Sequence, residues 1–147
     1  MNNEPSSVVT AEQFVTALIQ NSPNTPPTDN YLQYGYDSGW LEDMDITGKD
    51  EALLRKNAAR IIHEFMRIEL QESDLADVSC ASKLRDLYDC RVCAKHIMQV
   101  YAKGIMEGFY ASDTLYLFGL KEAVTTVEAS AIISRVFHTN QRFSNQN

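Results

Sequence analysis

The chain has 147 residues, 44% hydrophobic and 22% charged, with a net charge of −7, the profile of one ordinary soluble globular domain. That acidic balance argues against nucleic acid as a partner, since phosphate binding needs a basic surface. No run approaches the roughly 18 consecutive apolar residues of a membrane helix, and no signal peptide is visible at the start.

Residues 1–7 (MNNEPSS) read as a flexible N-terminus, 8–138 as a single domain, and 139–147 as a flexible C-terminal tail. The first helix is expected to start at Thr10, with Gln13 completing a capping box and Ala11, Phe14, Val15, Leu18 and Ile19 on its buried face. The prolines of NSPNTPPTDN end it. Thr28 is the expected cap of a second helix, with Tyr31, Leu32 and Tyr36 as apolar contacts and Gly39 as its stop; Trp40 and Leu41 follow directly. EDMDITGKD reads as a solvated acidic connector leading to Asp50, the expected cap of the strongest helix in the first half. That helix places Leu53, Leu54, Ala58, Ile61, Ile62, Phe65 and Ile68 on one face and leaves Lys56, Arg60, Glu64 and Arg67 solvated. His63 falls between the faces and reads as a surface imidazole.

Beyond Glu69 the chain turns polar, and a short helix is expected from Asp74 with Leu75, Val78 and Ala81 facing in. The next helical run carries Ile97, Val100 and Tyr101 up to Gly104, where a left-handed cap is expected. The stretch 110–120 is expected to hold a short extended segment. Thr125 and Glu128 then open a last helix with Ala129, Ile132, Ile133, Val136 and Phe137 on one stripe. With helices throughout and no convincing hairpin, the expected fold class is all-α.

Parts of the chain resemble each other. YDSGWLE and YAKGIME align Tyr36 with Tyr101, Gly39 with Gly104, Leu41 with Met106 and Glu42 with Glu107. VVTAEQFVTALI, LLRKNAARIIHEF and TTVEASAIISRVF align with Glu12, Asn57 and Glu128 in register. Two full units and one half unit fit the chain, and such units need one another to bury their apolar faces.

Side chains that carry chemistry are few. Cys80, Cys90, Cys93 and His96 offer a C-x₂-C-x₂-H spacing that zinc accepts, but a helix start at the second cysteine favours unligated thiols, so no metal or other cofactor is expected. A disulfide from Cys80 to Cys90 or Cys93 is the remaining alternative, and a thioredoxin-like Cys90–Cys93 pair is disfavoured because no βαβ pattern surrounds it. Cys93 with His63 or His138 lacks the glycine motif of a thiol hydrolase, so no catalytic activity is expected. Glu42, Asp43 and Asp45 lack the spacing of a calcium loop. Trp40 follows the turn glycine, where a sugar could reach it, although core packing is the favoured role.

These residues resemble the bacterial surface-layer homology (SLH) module, whose repeat has an FxDV-like start, a WA pair opening a helix, a glycine turn, and a TRAE-like motif opening a second helix. In the last unit, LRDLYDCRVCAKHIMQVYAKGIMEG then VTTVEASAIISRVF, Leu84, Asp86 and Leu87 take the FxDV places and Cys93-Ala94 the WA places. Gly104 and Gly108 take the turn, Thr125 and Glu128 two TRAE places, and Arg135 the later arginine. The TRAE arginine survives only as Arg55, with Thr10 and Thr126 at its other two places; Asn57 replaces the glutamate of the middle unit, and Thr28 and Cys93 stand where tryptophan would.

The resemblance covers roughly residues 8–138. It implies a pseudo-threefold helical prism that attaches secreted proteins to the Gram-positive cell surface by binding an anionic, often pyruvylated, secondary cell-wall polysaccharide. The implied contacts are Arg55 as the anion partner, Trp40 as a wall, Asp86 capping or orienting the last unit's first helix, and Gly39 and Gly104 in tight turns. Two other readings stand beside it: a protein-binding scaffold of the same fold without a glycan site, and an intracellular zinc-stabilised helical domain. A homodimer completing the prism through Phe14 and Leu18 is a further expectation.

Overall fold

A computed structural model of the chain describes residues 7–144; the flexible ends expected at 1–6 and 145–147 lie outside the described residues. The chain is mostly helical: α1 (Ala11–Gln20), α2 (Tyr31–Ser38), α3 (Asp43–Thr47), α4 (Arg55–Ile68), α5 (Arg91–Ala102) and α6 (Thr126–Phe137). An antiparallel hairpin of β1 (Phe109–Ser112) and β2 (Leu115–Leu117) stands between α5 and α6. Short 3₁₀ turns occupy Ser79–Lys83, Leu87–Asp89 and Thr139–Gln141.

The N-termini of α1, α4 and α6 meet in a closed ring of backbone hydrogen bonds. Val9 N–H donates to the Val124 carbonyl (3.0 Å), Val124 N–H to Leu53 (2.8 Å), and Leu53 N–H back to Val9 (2.9 Å). Each of these residues directly precedes the N-cap of its helix: Thr10, Thr125 and Leu54. Counted from these N-caps, Gln13, Asn57 and Glu128 each stand at the third helical position, whereas Glu12 stands at the second. Thr10 and Thr125 cap as expected, but α4 starts at Arg55 without a side-chain cap. Asp50 is bypassed because the ring fixes where the strand-like entry ends.

The two glycine turns share one geometry. Gly39 (φ 98°) and Gly104 (φ 77°) adopt the left-handed conformation. Trp40 N–H bonds back to the Gly35 carbonyl and Gly39 N–H to Tyr36, just as Ile105 N–H bonds to Val100 and Gly104 N–H to Tyr101. This pairing closes a helix with its last carbonyls satisfied.

The core runs through the helix faces read from periodicity, with Phe14, Leu18, Ile61, Phe65, Ile97 and Ile132 at most 1% exposed, each such side chain contributing about 1.5–3 kcal/mol by leaving water. Phe14 and Leu18 both lie in this core.

Several local expectations are corrected. Asn30, not Thr28, caps α2, and Tyr36 is exposed with its hydroxyl on Asp43 (2.6 Å). The acidic connector folds into α3, with Asp45 turned inward. Instead of one short extended segment within 110–120, residues 109–117 form a hairpin with Tyr110 opposite Tyr116; its turn around Asp113 and Thr114 carries no glycine to announce it.

No helix starts at Asp74. The 71–78 stretch is held by partners distant in sequence: the Gln99 side chain accepts from Leu75 N–H (2.9 Å) and donates to the Leu75 carbonyl (3.1 Å), while Lys103 Nζ donates to the Ser73 carbonyl (2.8 Å). Residues 139–144, expected as a flexible tail, fold back, because Arg142 donates to both oxygens of Glu72 (2.8 and 3.0 Å) and to the Val136 carbonyl (3.0 Å).

Burial alone would raise the Glu72 carboxyl, but hydrogen bonds from Arg142 and Lys103 outweigh it and hold it below the usual carboxylate range. A carboxyl depressed in the folded state contributes stability that is complete above its unfolded value of about 4.3 and is lost as pH falls through the lower folded value. Urea midpoints followed from about pH 6 to pH 3 should thus fall more steeply for the native chain than for Glu72→Gln. Parallel profiles would remove Glu72 from the acid transition.

Candidate functional site

Two of the residues singled out from sequence meet in the interior. Arg55, 7% exposed, donates from Nε to the Phe118 carbonyl (2.8 Å) and from Nη2 to the Glu107 carbonyl. It pairs with the Glu128 carboxylate and lies over the Phe118 ring at 4.6 Å. Burial pulls its guanidinium down to about 10 against the upward pull of Glu107, Asp86 and Glu122. From the other side, the Asp86 carboxylate accepts from Phe118 N–H and Gly119 N–H, both at 2.8 Å. Asp86 thus grips the strand-to-helix connection rather than capping α5, whose N-cap is Cys90. Together the two side chains clamp residues 118–119, and the groups an anion would use are already engaged.

Trp40 is 1% exposed. Its ring meets Phe65 edge-on at 4.9 Å and its indole N–H donates to Glu69 (3.1 Å), so no ring face is offered to a sugar. Gly104 is buried against the backbone of Phe143. Gly39 and Trp40 border an open depression.

That depression, about 350 Å³, is lined by Gly39, Trp40, Glu42, Arg60, His63, Glu64, Arg67, Asp74, Lys95 and His96. Helices α4 and α5 build it by packing side by side. Arg60, read as solvated, is 8% exposed and makes a bidentate pair with Asp45 (2.8 Å to each oxygen). Burial would lower its pKa, but Asp45 outweighs that and raises it. Glu64 is also drawn inward; its Oε1 accepts from Arg67 (2.6 Å). Arg67 and Lys95 are exposed at the rim.

His63, read as a surface imidazole, is 4% exposed. Its Nδ1 lies 2.8 Å from Nδ1 of His96 and its Nε2 2.7 Å from Asp74 Oδ1. Burial and the neighbouring His63 push His96 down to about 4. The sequence held one signal for this: Arg60, His63, Glu64 and Arg67 recur at helical spacing on one side of α4. The partner helix that covers that side could not be read from it.

The cysteines are not arranged as a zinc set. Cys90 and Cys93 form a disulfide and Cys80 is free. This is the pairing that sequence reasoning disfavoured. The bond needs no thioredoxin-type βαβ setting, because the α5 N-terminus alone brings the two Cα atoms to 5.2 Å, inside the usual bridging range. No family model, curated protein or solved structure matches the chain.

Proposed function

We propose that the chain is a non-catalytic attachment module that binds an anionic polymer of the cell envelope, with the SLH-like prism as its fold and the groove between α4 and α5 as its contact. The observation that carries this reading is the groove itself: an open polar depression beside the Gly39 turn, where the exposed Lys95 and Arg67 share the lining with Glu42, Glu64 and Asp74. An acidic substituent on a sugar needs cationic donors in such a setting. The ring joining the starts of α1, α4 and α6 supports a pseudo-threefold arrangement, as do the matching turns at Gly39 and Gly104. The Cys90–Cys93 bond fits an oxidising compartment.

In this reading Arg55 is part of the scaffold, and the anion contacts pass to Arg67 and Lys95. The test is co-sedimentation with Gram-positive sacculi before and after the secondary polymer is stripped. A charge-assisted hydrogen bond contributes about 1.5–3 kcal/mol, so Lys95→Ala and Arg67→Ala should each weaken polymer-dependent binding about tenfold or more.

One observation favours the alternative of a protein partner: the hairpin exposes Phe109, Tyr110 and Leu115 at 40%, 69% and 38%, an apolar patch that a partner could cover. Failure to bind any sacculus, with loss of a protein partner on Tyr110→Ser, would move the function there.

A further inference from the structure

The histidine pair carries chemistry that polymer attachment does not use. We propose that His63, His96 and Glu64 form a binding site for a divalent transition metal of the zinc class, with the fourth coordination position open to the groove.

The ligand atoms already converge. His63 Nδ1 and His96 Nδ1 are 2.8 Å apart, and Glu64 Oε2 is 3.8 Å from each; these three residues each offer one ligand atom within a common 4.8 Å. Bonds of about 2.0–2.1 Å in a tetrahedral site separate neighbouring ligand atoms by about 3.3–3.4 Å. The observed separations bracket that value, so shifts of about half an ångström suffice. Two imidazoles and a carboxylate with one open position form a donor set that zinc accepts.

The surroundings orient the ligands as an outer shell does. Asp74 Oδ1 holds His63 Nε2–H (2.7 Å), which leaves the Nδ1 lone pair directed at the site. Arg67 holds Glu64 Oε1 (2.6 Å) and leaves Oε2 for the metal. Asp74 is itself fixed, because Gln99 and Lys103 clamp Leu75 and Ser73 on either side of it. The charge balance also permits a cation. Arg60 is neutralised by Asp45, and Glu42, Glu64 and Asp74 face Arg67 and Lys95 across the groove. On binding, the proton shared between the two Nδ1 atoms moves to His96 Nε2, and both Nδ1 lone pairs turn to the metal.

The proposal is independent of polymer binding and is tested without polymer. The full chain, stripped with chelator and kept oxidised at Cys90–Cys93, is titrated calorimetrically with zinc chloride, and cobalt(II) uptake is followed by its four-coordinate visible absorption. One zinc per chain is expected. Asp74→Asn should weaken it about 10–100-fold, the usual effect of losing an outer-shell partner, while His63→Gln and His96→Gln should weaken it more. Glu64→Gln, at the partly exposed corner, keeps the test decisive if a buried histidine variant fails to fold; it should cost at least about tenfold. His138→Gln should bind as the native chain does. No stoichiometric uptake by the folded oxidised protein would overturn the site. So would uptake that survives Glu64→Gln and Asp74→Asn unchanged but disappears with Cys80→Ser.

Discussion

Arg55→Ala is expected to destabilise the fold by about 3–5 kcal/mol, because two charge-assisted hydrogen bonds, each contributing about 1.5–3 kcal/mol, are lost together. The loss would strand Glu128 and two carbonyls, those of Phe118 and Glu107, at the point where the hairpin returns to α6. For a domain of this size each kcal/mol shifts Tm by roughly 2–4 °C, so thermal unfolding should fall by roughly 6–20 °C. Arg55→Lys should recover only part of that, since an ammonium cannot reproduce the planar fork that serves both carbonyls. Lys95→Ala, on the rim, should stay within about 0.5 kcal/mol of the native chain. A Tm for Arg55→Ala within about 2 °C of native would mean that water satisfies the stranded groups and that Arg55 is dispensable to the scaffold. The distinction bears on function, because lost polymer binding in an unfolded Arg55 variant says nothing about an anion contact.

Gly104→Ala is expected to cost far more than Gly39→Ala, although both glycines close a helix in the same way. A left-handed conformation costs a non-glycine residue about 1–2 kcal/mol, and at Gly39 that is the whole penalty, since the nearest atom to an added Cβ is Ile68 Cδ1 at 3.8 Å. At Gly104 the added Cβ would meet the Phe143 backbone oxygen at 2.0 Å and its nitrogen at 2.7 Å. Backbone must move, adding an overpacking cost of about 1–3 kcal/mol. Displacing Phe143 would also disturb its ring against Arg135 (4.1 Å) and loosen the neighbouring Arg142–Glu72 pair. Paired denaturant titrations should therefore rank native, Gly39→Ala, Gly104→Ala in falling order, and limited proteolysis should cut Gly104→Ala near its C-terminus. Equal losses at the two glycines would show that the Phe143 contact yields easily.

The helices α1, α4, α5 and α6 were legible because their apolar residues recur at helical spacing and because Thr10 and Thr125 announce two of the starts. The glycine turns were legible because glycine adopts the left-handed conformation at no steric cost. These are local properties, set by a few neighbouring residues and backbone sterics. Legibility ended where the deciding partner lies far along the chain. Arg60 and His63 carry the pattern of a solvated helix side, and only Asp45 from α3, and Asp74 with His96 from beyond it, turn that side into an interior. Arg55 had the chemistry of an anion contact, but whether its guanidinium meets a ligand or the chain's own carbonyls depends on where the hairpin docks. The sequence by itself determined the apolar faces of α1, α4, α5 and α6 and the places where α2 and α5 must turn. Tertiary packing alone decided which charged side chains are paired and buried, which histidines converge, and which groove stays open, because desolvation and pairing depend on all the elements surrounding a group and not on its own helix.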